Sequence, residues 1–102
     1  MKYISTRDRS KTFEFSEVFI KGLADDGGLF IPETLHEYTE SEIKEFKELS
    51  YSELAKKIIH PFIGNFTSED ELSKIIEKSY GVFRKENVIE LIKVGDRSVL
   101  EL

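Results

Sequence analysis

Residues 22–32 read Gly-Leu-Ala-Asp-Asp-Gly-Gly-Leu-Phe-Ile-Pro, and this stretch separates a helical pattern from a strand pattern. Upstream, apolar residues spaced by three and four positions predict a helix that starts at Phe15 and ends at the first glycine of the stretch. The adjacent glycine pair favours a tight turn, because glycine adopts positive φ without steric cost. Residues 29–31 then predict a short strand, which the final proline closes because it has no amide to donate.

The rest of the chain continues this mixture of short strands and helices. Tyr3 and Ile4 begin a strand that passes into a polar loop over residues 5–12. A hydroxyl residue followed three positions later by glutamate indicates a helix start, because the hydroxyl accepts from the N3 amide and the carboxylate from the cap amide. Three such pairs occur, at Thr39 with Glu42, Ser50 with Glu53, and Ser68 with Glu71.

The second of these helices contains Pro61, which should kink or break it around His60 by removing an amide donor. Gly64 and Asn65 should then end it. Its apolar stripe and that of the following helix fit a hydrophobic core better than a partner-binding groove. The stripes comprise Leu54, Ala55, Ile58, Ile59, Phe62 and Ile63 in one helix, and Leu72, Ile75, Ile76, Tyr80 and Phe83 in the other.

The hydrophobic period changes after residues 85–87. Val88 to Val94 predicts a strand, Gly95-Asp96 a turn, and residues 99–102 a second strand. We therefore expect a small α+β domain of about four helices, with short strands at the start, in the middle and at the C-terminal end. We divide it into a domain over 1–87 and a strand pair over 88–102. A chain that stops on an apolar strand is also expected to be the front of a longer protein.

Composition excludes several classes of function. The formal net charge is −5, so the chain as a whole does not attract nucleic-acid phosphates or anionic lipid. The absence of cysteine excludes disulfides, thiolate-bound zinc and a thiol nucleophile. No apolar run has the length of a signal peptide or a membrane span. These features predict a cytoplasmic protein without nucleic-acid or membrane partners.

The residues offer no complete catalytic constellation. His36 and His60 are far apart, and the glutamates around His36 fit a charged helix approach better than a metal site. Neither a Gly-x-Ser-x-Gly elbow nor a Walker phosphate loop occurs. Ser5, Thr6 and Arg7 could hold a phosphate through two hydroxyls and a guanidinium. A loop tied down by backbone hydrogen bonds is the competing interpretation of these three residues.

Six segments together resemble the opening of the threonine synthase family, and their order and spacing agree along essentially the whole chain. The most specific is the stretch over 22–32. Asp8 stands where the family often has glycine, and Asp25 where it often has proline. The motif residues are Gly22, Leu23, Asp26, Gly27, Gly28 and Pro32, and the segments are 3–7, 15–18, 22–32, 49–55, 61–64 and 99–102.

This resemblance implies a fold-type-II pyridoxal-phosphate lyase of threonine biosynthesis, which converts O-phospho-L-homoserine and water into L-threonine and phosphate. The Schiff-base lysine is expected beyond Leu102, in a segment resembling Phe-His-Gly-Pro-Thr-x-x-Phe-Lys. Residues 1–102 would then hold no catalytic, cofactor-binding or metal residue and would be inactive alone. Their partners would be the catalytic domain of the same polypeptide and, in the full enzyme, a phosphorylated amino acid. Ser5, Thr6 and Arg7 are candidates for the edge of the active-site mouth.

Two other functions stay open. One is a stand-alone, non-catalytic interaction module, which an immediate stop codon after Leu102 would favour. The other is a threonine-synthase-like lyase acting on a related phosphorylated substrate, which a downstream lysine with altered pocket residues would favour. An apolar face turned toward an absent catalytic body also predicts weak dimerisation or aggregation of these residues alone.

Overall fold

The computed structural model describes residues 1–83 and 89–101. Within them, four α-helices and two antiparallel sheets form the expected α+β domain. Short 3₁₀ helices at Phe46–Glu48 and Gly64–Phe66 extend the second and third helices. In chain order the elements are β1 (Lys2–Ser5), β2 (Phe13–Glu14), α1 (Phe15–Lys21), β3 (Phe30–Pro32), α2 (Glu40–Glu45), α3 (Tyr51–Ile63), α4 (Glu69–Tyr80), β4 (Glu90–Val94) and β5 (Arg97–Glu101).

Strand β1 is the centre of the first sheet, whose strand order is β2-β1-β3. Tyr3 lies opposite both Phe13 and Pro32, and Ser5 lies opposite Phe30. Ser5 therefore belongs to the strand rather than to the loop that the sequence predicts, and β2 is a strand that the sequence analysis missed. Pro32 ends an edge strand, a position that tolerates the absence of an amide donor.

Strands β4 and β5 form a separate hairpin that exposes apolar side chains on both faces. Directly opposite residues share a face, so Ile92 with Val99 lies on one side and Leu91 with Leu100 on the other. Leu91 is 67% exposed and Leu100 55%. The predicted strand pair is thus present over these ranges. The expected start at Val88, the boundary between residues 87 and 88, and Leu102 lie outside the described residues.

The three predicted capping boxes are all present. The Glu42 and Glu53 amides donate to Thr39 Oγ1 and Ser50 Oγ at 3.3 Å each, and the Glu71 amide donates to Ser68 Oγ at 3.2 Å. In each box the glutamate carboxylate accepts from the cap amide in return. Side chains and amides only three residues apart are enough to fix these starts.

Of the kink or break expected around His60, the break is wrong, because α3 continues through Pro61 to Ile63. Pro61 cannot donate to the Lys57 carbonyl four residues earlier. The Tyr38 hydroxyl donates to that carbonyl instead, at 2.9 Å. A tyrosine from the connection before α2 thereby replaces the hydrogen bond that the proline removes.

The hydrophobic core is thinner than the apolar stripes predict. Its buried apolar side chains, among the described residues, are Tyr3, Ile4, Ala24, Leu72 and Ile76. Helix α3 packs against α4 but buries none of its side chains completely. Helix α4 also ends at Tyr80 rather than reaching Phe83. The stripes that mark α3 and α4 as amphipathic therefore leave substantial apolar surface uncovered.

Candidate functional site

The end of β1 and the loop over residues 24–29 lie side by side. The pairing of Ser5 with Phe30 in the sheet brings Thr6 against Leu29. The Thr6 amide donates to the Leu29 carbonyl at 2.9 Å, and the Leu29 amide donates to Thr6 Oγ1 at 3.0 Å. Two sets of residues that the sequence analysis singled out separately, at 5–7 and 22–32, thus form one local structure.

A buried serine and an exposed aspartate hold this structure together, and we call their contact the Ser5–Asp26 tie. Ser5, which is 2% exposed, donates from Oγ to Asp26 Oδ1 at 2.8 Å and accepts from the Arg7 amide at 3.1 Å. The Gly28 amide donates to the same Asp26 oxygen at 2.8 Å. These donors, the Gly28 amide first and the Ser5 hydroxyl second, lower the pKa of Asp26 below its ordinary value.

The two adjacent glycines serve different purposes in this loop. Gly27 has a φ of 77°, which a residue with a side chain rarely adopts. Gly28 is required for space instead, because a Cβ there would lie 2.3 Å from Ser5 Oγ and 2.9 Å from Asp26 Oδ1. The expectation that both glycines supply positive φ therefore holds for the first of them alone.

Arg7 is the candidate site residue whose functional group stays at the surface. Its Nη1 donates to the Asp26 backbone carbonyl at 3.1 Å, which holds the guanidinium against the loop over residues 24–29. A guanidinium has five N–H donors, so most of its binding capacity remains for a ligand. By contrast, the buried Ser5 hydroxyl already donates its proton to Asp26, and Thr6 Oγ1 accepts the Leu29 amide. The arrangement therefore favours Arg7 as a single anion-binding side chain over a phosphate site made by Ser5, Thr6 and Arg7 together.

A cleft of about 200 Å³ lies beside the tie. Three carboxylates and one ammonium line it, so it repels an anion rather than attracting one. Asp8 is already engaged by the amide and hydroxyl of Ser10. The residues lining the cleft are Ser5, Asp8, Lys11, Phe13, Ala24, Asp25 and Asp26.

The remaining sequence candidates do not assemble into a site. The His36 ring packs edge-on against Tyr38 at 4.5 Å, and His60 accepts the amide of Gly64 through its carbonyl. In the part of the chain that the structure describes, no three His, Cys, Asp or Glu side chains cluster closely enough to hold a metal ion. None of the described helices is long and apolar enough to cross a membrane.

The sequence analysis missed two tyrosine hydroxyls that complete the hydrogen bonding of α3. Tyr3 donates to the Phe62 carbonyl at 2.8 Å, and Tyr38 donates to the Lys57 carbonyl at 2.9 Å. Burial raises the pKa of both tyrosines, with Glu42 also contributing at Tyr38. Pro61 gave a signal for the second contact, because a proline within a helix leaves the carbonyl four residues earlier in need of a donor.

The fold and the Ser5–Asp26 tie define a class of structure, a small α+β domain whose first strand is tied to the loop over residues 24–29. Comparison with known proteins identifies this class. Residues 2–80 match the family described as threonine synthase N terminus. The chain therefore belongs to that family, as the resemblance of its motifs predicts.

Individual relatives agree with this family over the whole chain. The chain is 41% identical over 103 residues to threonine synthase from Pseudomonas aeruginosa, covering 100% of this chain and 22% of the relative. It is 35% identical over 104 residues to human threonine synthase-like 2, again covering 100% of this chain and 22% of the relative. The crystal structure of PLP-bound threonine synthase from Brucella melitensis superposes with a TM-score of 0.90 at 33% identity, covering 99% of this chain and 22% of that one. The chain thus spans about a fifth of the length of these relatives.

Proposed function

We propose that the chain is the N-terminal part of a threonine synthase, which converts O-phospho-L-homoserine and water into L-threonine and phosphate. The observation that carries this proposal is the superposition of 99% of the chain on a threonine synthase at a TM-score of 0.90. That relative binds PLP, so we propose that the complete protein that contains this chain also binds PLP. The catalytic domain is then a partner within the same polypeptide.

The lysines that the structure describes do not fit the role of the cofactor-binding residue. PLP, when bound, supplies an electron sink, and the lysine that holds it must be able to lose its proton. Lys2 is in the opposite situation, because hydrogen bonding to Glu14 raises its pKa. None of the described lysines is buried, and Lys56 pairs with Glu69 at 3.2 Å. We therefore assign the cofactor to the part of the enzyme outside these residues.

Residues 5–7, at the end of β1 and directly after it, are proposed to edge the mouth of the active site. Ser5 and Thr6 act here as positioning residues, since their hydroxyl oxygens contact Asp26 and the Leu29 amide of the loop over residues 24–29. Arg7 presents its guanidinium to solvent, where the phosphate of an incoming substrate would meet it first. Arg7→Gln in the complete enzyme should raise the KM for the phosphorylated substrate and leave kcat nearly unchanged. An unchanged KM would remove Arg7 from this role.

The β4–β5 hairpin is proposed to lead into the catalytic domain, with residues 1–87 forming the N-terminal domain before it. An isolated two-stranded hairpin is marginally stable at best, and this one exposes an apolar pair on each face. Both observations support a hairpin that other parts of the polypeptide cover. We also propose a cytoplasmic location, because these 102 residues contain no cysteine that could form the disulfides typical of oxidising compartments.

The experiment that tests this function uses the complete coding sequence that contains residues 1–102. Its product should release phosphate and threonine in equal amounts from O-phospho-L-homoserine and show the absorbance of bound PLP. A stop codon directly after Leu102, or a PLP-binding product that releases neither compound, would overturn the proposal. A stop codon would instead favour the interaction module.

A lyase for a related phosphorylated substrate is the second candidate, because the relatives of this chain also include a protein named threonine synthase-like 2, at 35% identity. The same assay distinguishes a threonine synthase from a lyase for a related substrate. Release of phosphate from a related phosphorylated amino acid, without threonine from O-phospho-L-homoserine, would support this second candidate.

A further inference from the structure

Helix α1 carries an apolar surface that forms the open side of the aromatic cluster. The cluster begins at buried Tyr3, whose ring centroid lies 6.1 Å from that of Phe15. The ring centroid of Phe15 lies in turn 5.8 Å from that of Phe19 and 5.1 Å from that of Phe66. Phe19 is 66% exposed, Phe66 48%, and the next residue of α1, Ile20, 82%. We call Phe19, Ile20 and Phe66 the α1 apolar face.

Two lysines near this face are paired with carboxylates within the domain. Lys2 pairs with Glu14, and Lys21 pairs with Asp25 at 2.6 Å. The Glu17 carboxylate accepts the Glu14 amide at 2.9 Å. Docking here would therefore cover ion pairs at Lys2 and Lys21 rather than isolated charges. This arrangement lowers the desolvation cost of covering it.

The exposed area of the chain is large enough for such an interface. The accessible surface is 8264 Å². A compact protein of this mass exposes roughly 5,900 Å², so about 2,400 Å² is in excess. A stable protein–protein interface removes only about 800 Å² from each partner. The excess belongs to the whole chain and is shared between the exposed β4–β5 hairpin and the α1 apolar face.

We propose that the α1 apolar face docks on the catalytic part of the same polypeptide. This inference rests on the proposed function and specifies which surface of the domain makes the contact. The relatives are about five times as long as this chain, since it covers 22% of each. A partner on the same polypeptide also meets the face at a high effective concentration, which no separate protein has.

The test compares hydrogen exchange in the 102-residue chain, kept dilute, with exchange in the complete enzyme. Amides of residues 18–21 should exchange at least about tenfold more slowly in the complete enzyme, because docking adds protection that the open domain lacks. Ile20→Lys should abolish that additional protection. In the 102-residue chain it should leave the unfolding midpoint unchanged, because Ile20 is 82% exposed there.

Leu35→Lys is the matched control, since Leu35 is 70% exposed and lies outside the face. It should leave the protection of residues 18–21 intact in both proteins. Equal exchange in the two proteins, or the same response to both variants, would overturn the proposal. Protection that grows with concentration in the 102-residue chain and matches the complete enzyme would assign the face to a second copy, and would overturn it as well.

The two proposals can fail separately. A complete enzyme that makes threonine but leaves residues 18–21 unprotected would refute the docking alone. A complete protein that protects them but releases neither phosphate nor threonine would refute the proposed function and support the docking of this face.

Discussion

Ser5 ties β1 to the loop over residues 24–29, because its hydroxyl donates to Asp26 and also accepts the Arg7 amide. The two side chains are 21 residues apart in sequence. Their contact depends on the register in which β1 pairs with β3, which no local pattern specifies. The motif at 22–32 could therefore be recognised from the sequence, whereas the different reasons for Gly27 and Gly28 required the structure.

Gly28→Ala should destabilise the domain by about 2–3 kcal/mol, because the added methyl overlaps a buried, hydrogen-bonded hydroxyl. The Cβ would lie 2.3 Å from Ser5 Oγ. Urea unfolding of the 102-residue chain measures the change.

Ser5→Ala provides the control for this prediction, since it removes the atom that the new methyl would meet. In that background Gly28→Ala should cost clearly less, although contacts at 2.9 Å to Asp26 Oδ1 and 3.0 Å to Thr6 Oγ1 remain. Strictly additive effects of the two substitutions would show that the overlap with Ser5 is not the cause.

Asp26→Asn should destabilise the domain at neutral pH and have a smaller effect in acid. Hydrogen bonds from Gly28 and Ser5 hold the pKa of Asp26 in the folded state below its ordinary value of 3.8. The stabilisation from the charged form is therefore complete above that value and is lost as the pH falls through the folded-state pKa. Urea unfolding of both proteins at pH 7 and at successively lower pH measures the difference. A difference that stays constant into strong acid would contradict this origin.

At the scale of the elements, local signals predicted the helix starts and failed at α3. The capping boxes involve residues three positions apart, so the sequence alone identifies them. The consequence of Pro61 depends on Tyr38, which lies 19 residues before the carbonyl it reaches. The short strand β2 was missed for a related reason, since two residues carry no alternation and gain their structure from pairing with β1.

Tyr38→Phe should destabilise the domain by about 1 kcal/mol, because it leaves the Lys57 carbonyl without its hydroxyl donor in a partly buried place. In a Pro61→Ala background the same change should cost less, since the new amide at position 61 can donate to that carbonyl. A double-mutant cycle by urea denaturation should give a coupling of about 0.5–1 kcal/mol. No coupling would show that the hydroxyl does not substitute for the amide.

The whole molecule is more open than a domain of its length usually is. Its radius of gyration is 17.0 Å, whereas a compact chain of this size has about 13 Å. Apolar periodicity indicates which residues prefer burial, but it does not say whether the protein that buries them belongs to the same domain. Ile75 illustrates this limit, because it belongs to the stripe of α4 and is 56% exposed.

The 102-residue chain should self-associate as its concentration rises, because exposed apolar surface is removed from water when two copies bind each other. Sedimentation velocity and light scattering over a concentration series measure this. Phe19→Ser should weaken the association, and Leu35→Ser should affect it less. A monomer that persists at high concentration would contradict the prediction.

Tyr3 connects the beginning of the chain to residues that the ribosome adds much later. Its strand needs β3, and its hydroxyl needs the Phe62 carbonyl, 59 residues further on. At a translation rate of about 5–20 residues per second, that carbonyl is synthesised about 3–12 s after the tyrosine. The first strand therefore spends seconds without its partners, in reach of chaperones and proteases. The domain can complete its fold only after α3 has left the exit tunnel.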